Sequence, residues 1–123
     1  MYQGFVLSES LKNPLVLNEL EKIYVKVEHH PEYEGEAKIW HDFKVRIKED
    51  DLERVADLLA SEMKDAWYAH FWNEETVWVI LPQKVFKMPK EPHKWQSGEY
   101  QECKAYAIAN GVEERYLDFW IDE

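Results

Sequence analysis

The 123-residue chain has a single cysteine, Cys103, so it cannot close an internal disulfide. That excludes a disulfide-stapled scaffold and fits a reducing compartment, so the expected location is the cytoplasm. Cys103 falls within an expected helix and has no catalytic partner in its spacing, which gives it a structural role. Long apolar runs are also missing. None approaches the roughly 18 residues that a membrane-spanning helix needs. The opening stretch MYQGFVLSES has neither a basic segment nor a cleavage site, which predicts no secretory signal. Positive charge is scarce: 15 Lys and Arg stand against 25 Asp and Glu, for a net charge of −10. Nucleic acid and anionic membrane surfaces both require a clustered basic footprint, so neither is an expected partner. Glycine is scarce too, with four in the chain. No glycine-rich phosphate loop is present, and GxGxxG, GxSxG, HExxH and CxxC are all absent. The sequence therefore assigns no cofactor and no catalytic residue.

Apolar side chains are plentiful. Hydrophobic residues make up 46% of the chain and aromatics 15%, enough for a packed core in a single domain spanning 1–123. Phe5–Leu7 reads as a buried strand. Asn13-Pro14 opens a short helix through Leu20. Residues 22–29 alternate, with Ile23, Val25 and Val27 on one side, and predict a half-buried strand. Residues 38–48 alternate again after a polar loop. Ile39, His41, Phe43, Val45 and Ile47 face one way; Trp40, Asp42, Lys44 and Arg46 face the other. Leu52, Val55, Leu59 and Met63 recur at helical spacing, so a helix runs from Asp50 or Asp51 to about Lys64. Strands follow at 67–72 and 76–81 around a turn at Asn73–Thr76, with a short edge strand at 84–88. Ser97 caps a last helix that stops at Asn110-Gly111. The tail keeps Tyr116, Leu117, Phe119, Trp120 and Ile121 and is expected to dock. Strand, helix, strand, strand, helix, strand is the ferredoxin-like split βαβ order, with an extra hairpin strand and a C-terminal helix. The expectation is an α+β fold with helices on one sheet face and the other face open.

His29, His30 and His41 lie near several glutamates, but adjacent strand residues point to opposite faces, so no metal site is expected. Glu9, Ser8 and Ser10 could join His70 in proton transfer, although nothing in their spacing singles them out. Lys84, Lys87, Lys90 and Lys94 form a local positive stretch that could take a small anion or guard a strand edge. The richest feature is WYAHFWNEETVWVI, residues 67–80. Pairing about Glu74-Glu75 sets Trp72 opposite Val77, His70 opposite Val79 and Tyr68 opposite Leu81. One face then carries Trp67, Ala69, Phe71, Trp78 and Ile80 and should meet the helices. The other carries Tyr68, His70 and Trp72, whose flat rings with polar tips suit a pocket or an interface. Tyr24, Trp40 and Asp42 belong to the same face on the other hairpin.

The stretches ESL (9–11), WHDFKVRI (40–47), WYAHF (67–71), KVFK (84–87) and GVEERYLDF (111–119) resemble a family of small prokaryotic proteins with no assigned activity. The resemblance implies no function. Members more often carry aspartate at the position of His70, which implies that a polar group is accepted there and argues against a histidine-specific role. The likeness also makes Tyr116–Phe119 part of the fold. Two expectations follow. The first is a non-catalytic binding or interaction module that associates with itself or a protein partner through the aromatic face, at Tyr24, Trp40, Tyr68, His70 and Trp72. The second is a small enzyme or sensor in which Lys84 and Lys87 draw an anionic molecule toward Tyr68, His70 and Trp72.

Overall fold

The computed structural model describes residues 1–90 and 97–117. Strand β1 (Tyr2–Leu7) leads through a 3-10 turn (Ser8–Ser10) and a 3-10 helix (Pro14–Glu19) to β2 (Glu21–His29) and β3 (Ile39–Ile47). Helix α1 (Glu49–Glu62) follows, then β4 (Ala69–Trp72), β5 (Thr76–Leu81), β6 (Lys84–Pro89) and helix α2 (Gly98–Ala109). A last 3-10 turn spans Glu114–Tyr116. The six strands form one antiparallel sheet in the order β2-β3-β1-β4-β5-β6.

Local chemistry sets the element boundaries. Asn13 accepts a hydrogen bond from the Leu15 N–H, Pro14 follows at the first turn, and the expected short helix winds as a 3-10 helix. Glu49, Asp50 and Asp51 sit in the first turn of α1, where negative charge meets the positive end of the helix dipole. The Asn73 side chain accepts from the N–H groups of Glu75 and Thr76 at 2.8 and 2.9 Å and so fixes the β4–β5 turn. Ser97 Oγ accepts from Tyr100 N at 3.0 Å and starts α2. Gly111, at φ +93°, stops it in a conformation that side chains disfavour.

The α+β class holds, but the strand order differs from the ferredoxin-like one. The link after β1 is too short a helix to carry a crossover to an adjacent parallel strand, so β2 pairs outside β3 instead. Register in the β4–β5 hairpin matches the parity argument, with His70 opposite Val79 and Trp72 opposite Val77, and in β2–β3 His29 lies opposite Ile39 and Val27 opposite His41.

Both sheet faces are covered, which corrects the expectation of one open face. On the first face, Leu52, Val55, Leu59 and Met63 pack with Val16 and Leu17 against Val6, Val45, Phe71 and Ile80. On the second, Tyr100, Cys103 and Ala107 of α2 pack with Val112 and Leu117 against Trp72, Val77, Val79, Leu81, Phe86 and Met88. That surface of β4–β6 is too apolar to remain in water, and burial at about 25 cal/mol per Å² drives α2 onto it. The same face of β1–β3 carries charged side chains, and α2 stays over the apolar half. Strand β2, expected to be half buried, is exposed along nearly its whole length. It is the outermost strand, beyond the reach of α1 and the 3-10 helix. The expectation that Phe119, Trp120 and Ile121 dock lies outside the described residues.

Candidate functional site

Cross-strand register lays the polar half of the second face out in rows, because directly opposed residues share a face. One row runs Tyr24, Lys44, Phe5, His70, Val79, Phe86. The next runs Lys26, Asp42, Leu7, and Glu28 stands opposite Trp40 beyond it. Where α2 no longer covers these rows, a cavity of about 270 Å³ opens between the sheet, the β2–β3 loop and the chain after α2.

Aromatic rings make its walls. Trp40 is buried and meets Tyr33, Trp67 and Tyr116 edge to face, with ring centres 5.4, 5.3 and 5.6 Å away. His30 stacks on the Trp40 ring at 3.7 Å. The Trp40 indole N–H donates to the Ala37 carbonyl at 2.9 Å, which locks the ring. Tyr68 donates its hydroxyl to the Tyr116 carbonyl and ties the far wall to the sheet. His70 is 6% exposed and lies on the floor, 5.9 Å from the Phe5 ring and stacked at 5.5 Å on Trp72.

The charged groups of the site are unequal. Lys44 is buried, with its amino group 5.0 Å over Phe5 and 5.3 Å over Trp72, a cation–π arrangement. Lys26 pairs with Glu28 at 3.4 Å, and Arg115 with Glu113 at 3.0 Å. Asp42 differs: its Oδ1 is buried and has no hydrogen-bond partner among the described residues. Burial pushes its carboxyl up to about 6, and neighbouring Glu28 adds to the rise while Lys26 opposes it. His30 is held on both ring nitrogens, by Glu28 and Glu32 at 3.0 Å each. Burial works against its charge, but the two carboxylates outweigh that and raise its affinity for a proton. Glu32 also accepts from the Tyr116 hydroxyl at 3.2 Å, so the loop is fastened to the wall.

The structure gathers some expected residues and separates others. Trp40, Tyr68 and His70 line the cavity. Trp72 shares their face but is a core residue at 3% exposure, under α2. Tyr24 stands at the exposed rim of the sheet on β2. Lys84 and Lys87 do not join them. Lys84 lies over Phe86 and Tyr106 on β6, and Lys87 lies over Trp78 on the opposite face. They are an odd number of residues apart on a strand, so alternation divides them. Lys94 lies outside the described residues. Glu9 serves His41 rather than His70, accepting from its backbone N–H and ring Nδ1 at 2.7 Å each. Burial alone would raise the Glu9 carboxyl, but these bonds hold it below its ordinary value. Among the described residues, no group of three or more His, Cys, Asp or Glu is placed to hold a metal ion. Cys103 is buried, and burial pushes its thiol up to about 12.

Parity placed Trp67 against the helix-covered core, where it packs, but missed its second contact, with the cavity. Strand β4 begins at Ala69, two residues later than expected, after Ala66 at φ +72°. The kink frees Trp67 from strand alternation, and its ring edges against Trp40. Tyr33 and Tyr116 come from a loop and a 3-10 turn, where no periodicity could have pointed to the cavity. No family profile, curated protein or solved structure matches the chain.

Proposed function

We propose that the protein is a non-catalytic binding module and that its working surface is the aromatic cavity over β1–β3. The observation that carries this reading is the buried Asp42 Oδ1, unpartnered among the described residues, in a cavity walled by rings. A buried carboxylate oxygen without a partner costs the fold free energy, and a donor brought by a ligand would recover it. The cavity, at about 270 Å³, is close to the roughly 300 Å³ at which small-molecule sites begin. Its occupant is a flat or apolar group that carries an N–H or O–H donor. Lys26 and Arg115 are already engaged by Glu28 and Glu113, so the unmet demand is for a donor and not for an anion. Lys84 and Lys87 would not draw an anion to this site, since neither lines the cavity. A lone thiol suits a reducing environment, which supports a cytoplasmic location for this module.

Indole, tryptamine and indole-3-acetate test the reading. They share a ring and differ in charge. Binding is followed by tryptophan indole N–H shifts in NMR, since Trp40 and Trp67 line the cavity. Indole and tryptamine should bind more tightly than the acetate, and Asp42→Ala should remove the difference. Absence of saturable binding by all three, or the acetate binding best, overturns the reading.

A further inference from the structure

Strand β2 closes one side of the sheet and is nine residues long. Edges of this kind pair with other chains unless they are guarded. The opposite edge is guarded: β6 has six residues and carries Lys84, Lys87 and Pro89. Strand β2 carries Lys22 and Lys26 as well, but it is longer, and Val25 and Val27 are 48% and 53% exposed, with Ile39 of β3 beside them at 47%. These three share the first face, beyond the cover of α1.

The backbone fixes which groups are available. His30 N–H donates to the Lys38 carbonyl at 2.7 Å, continuing the register in which His29 faces Ile39. Hydrogen-bonded pairs alternate along an antiparallel ladder. Glu28, Lys26 and Tyr24 therefore turn their amide and carbonyl groups toward β3, and those of Val25, Val27 and His29 point outward along the edge. A shift of register between Lys22 and Tyr24 marks a bulge at Ile23, which ends the regular edge there.

We propose that β2 pairs antiparallel with β2 of a second copy of this chain about a two-fold axis at Val27. The sequence is self-complementary in that register. Val27 meets Val27 and exchanges backbone hydrogen bonds, and Val25 meets His29 of the second copy. Lys26 meets Glu28 of the second copy, and by symmetry this occurs twice. A centre at Lys26 would oppose two lysines and present inward-turned backbone. A centre at Val25 would run the pairing into the bulge. The dimer joins two sheets through main-chain hydrogen bonds and buries the valine patch against itself. Its main-chain pairing does not use the cavity, although Lys26 and Glu28 also line the cavity, so Val27→Lys is the variant that separates the two.

Sedimentation over a wide concentration range, at about 0.15 M salt to limit repulsion between two acidic copies, tests the proposal. The wild type should dimerise. Val27→Lys sets like charges face to face and should raise the dimer dissociation constant about tenfold or more. Its thermal midpoint extrapolated to low concentration should not move, because Val27 is exposed. Lys26→Glu should weaken the dimer, and the charge-swapped double variant Lys26→Glu/Glu28→Lys should restore it. A wild-type monomer at millimolar concentration, a dimer indifferent to Val27→Lys, or a swap that fails to restore pairing each overturns the proposal.

Discussion

Replacing Asp42 with asparagine isolates the group on which the cavity reading rests. Asparagine keeps the shape and cannot ionise. In the native chain the Asp42 carboxyl is pushed from an ordinary 3.8 to about 6, first by burial and then by Glu28. A raised folded value means that the native state holds the proton more tightly than the unfolded chain does. Its contribution to stability is therefore greatest below the ordinary value and is lost as pH rises through about 6. At about 1.4 kcal/mol for each tenfold change in proton concentration, the loss comes to ~2–3 kcal/mol, reduced by whatever solvent reaches the group. Urea unfolding of wild type and Asp42→Asn at intervals from pH 4 to pH 8 measures it. Other groups titrate in that range, but they are common to both chains and cancel in the difference. Asp42→Asn should gain on the wild type by about 2 kcal/mol between pH 4 and pH 7. Parallel profiles would refute the burial of an unpartnered carboxylate. So would a carboxyl carbon that titrates in NMR at the ordinary aspartate value.

Three other substitutions test the framework around the site. Gly4→Ala would place a methyl group 2.4 Å from the His70 carbonyl and 2.5 Å from the Phe71 ring, and β1 must shift to admit it. A loss of about 1–3 kcal/mol is expected in urea unfolding, the range seen for overpacking. Trp72→Ala, at a residue 3% exposed under α2, should cost about 3–5 kcal/mol and lower the thermal midpoint without selectively affecting association. Asn73→Ala removes the acceptor for Glu75 and Thr76, so a cost of about 1–2 kcal/mol is expected, together with faster amide exchange at the β4–β5 turn.

Much of this was readable from residues alone. Alternation at 22–29 and 38–48 gave strands, although the apolar side of 22–29 is exposed, and the turn at Asn73–Thr76 gave the right β4–β5 register. Asp42 could be assigned to the same face as Trp40 from parity. Its unmet hydrogen bond could not, because that depends on what lies opposite the face. Tyr33 escaped notice, and the place of Trp67 and Tyr116 in the cavity did too, because loops and kinks carry no period. The lysine stretch misled because proximity in sequence is not proximity on a pleated strand.

Local physics determined the strands, the two α-helices, their caps and the division of each strand into two faces, since all of these depend on neighbours within a few residues. The tertiary structure decided which strand lies where and what covers each face. Strand order turns on how long links cross the sheet, and α2 went to the apolar half of the second face because only burial there offsets its ordering. Among the described residues, α2 stops short of the charged half, and the cavity lies there.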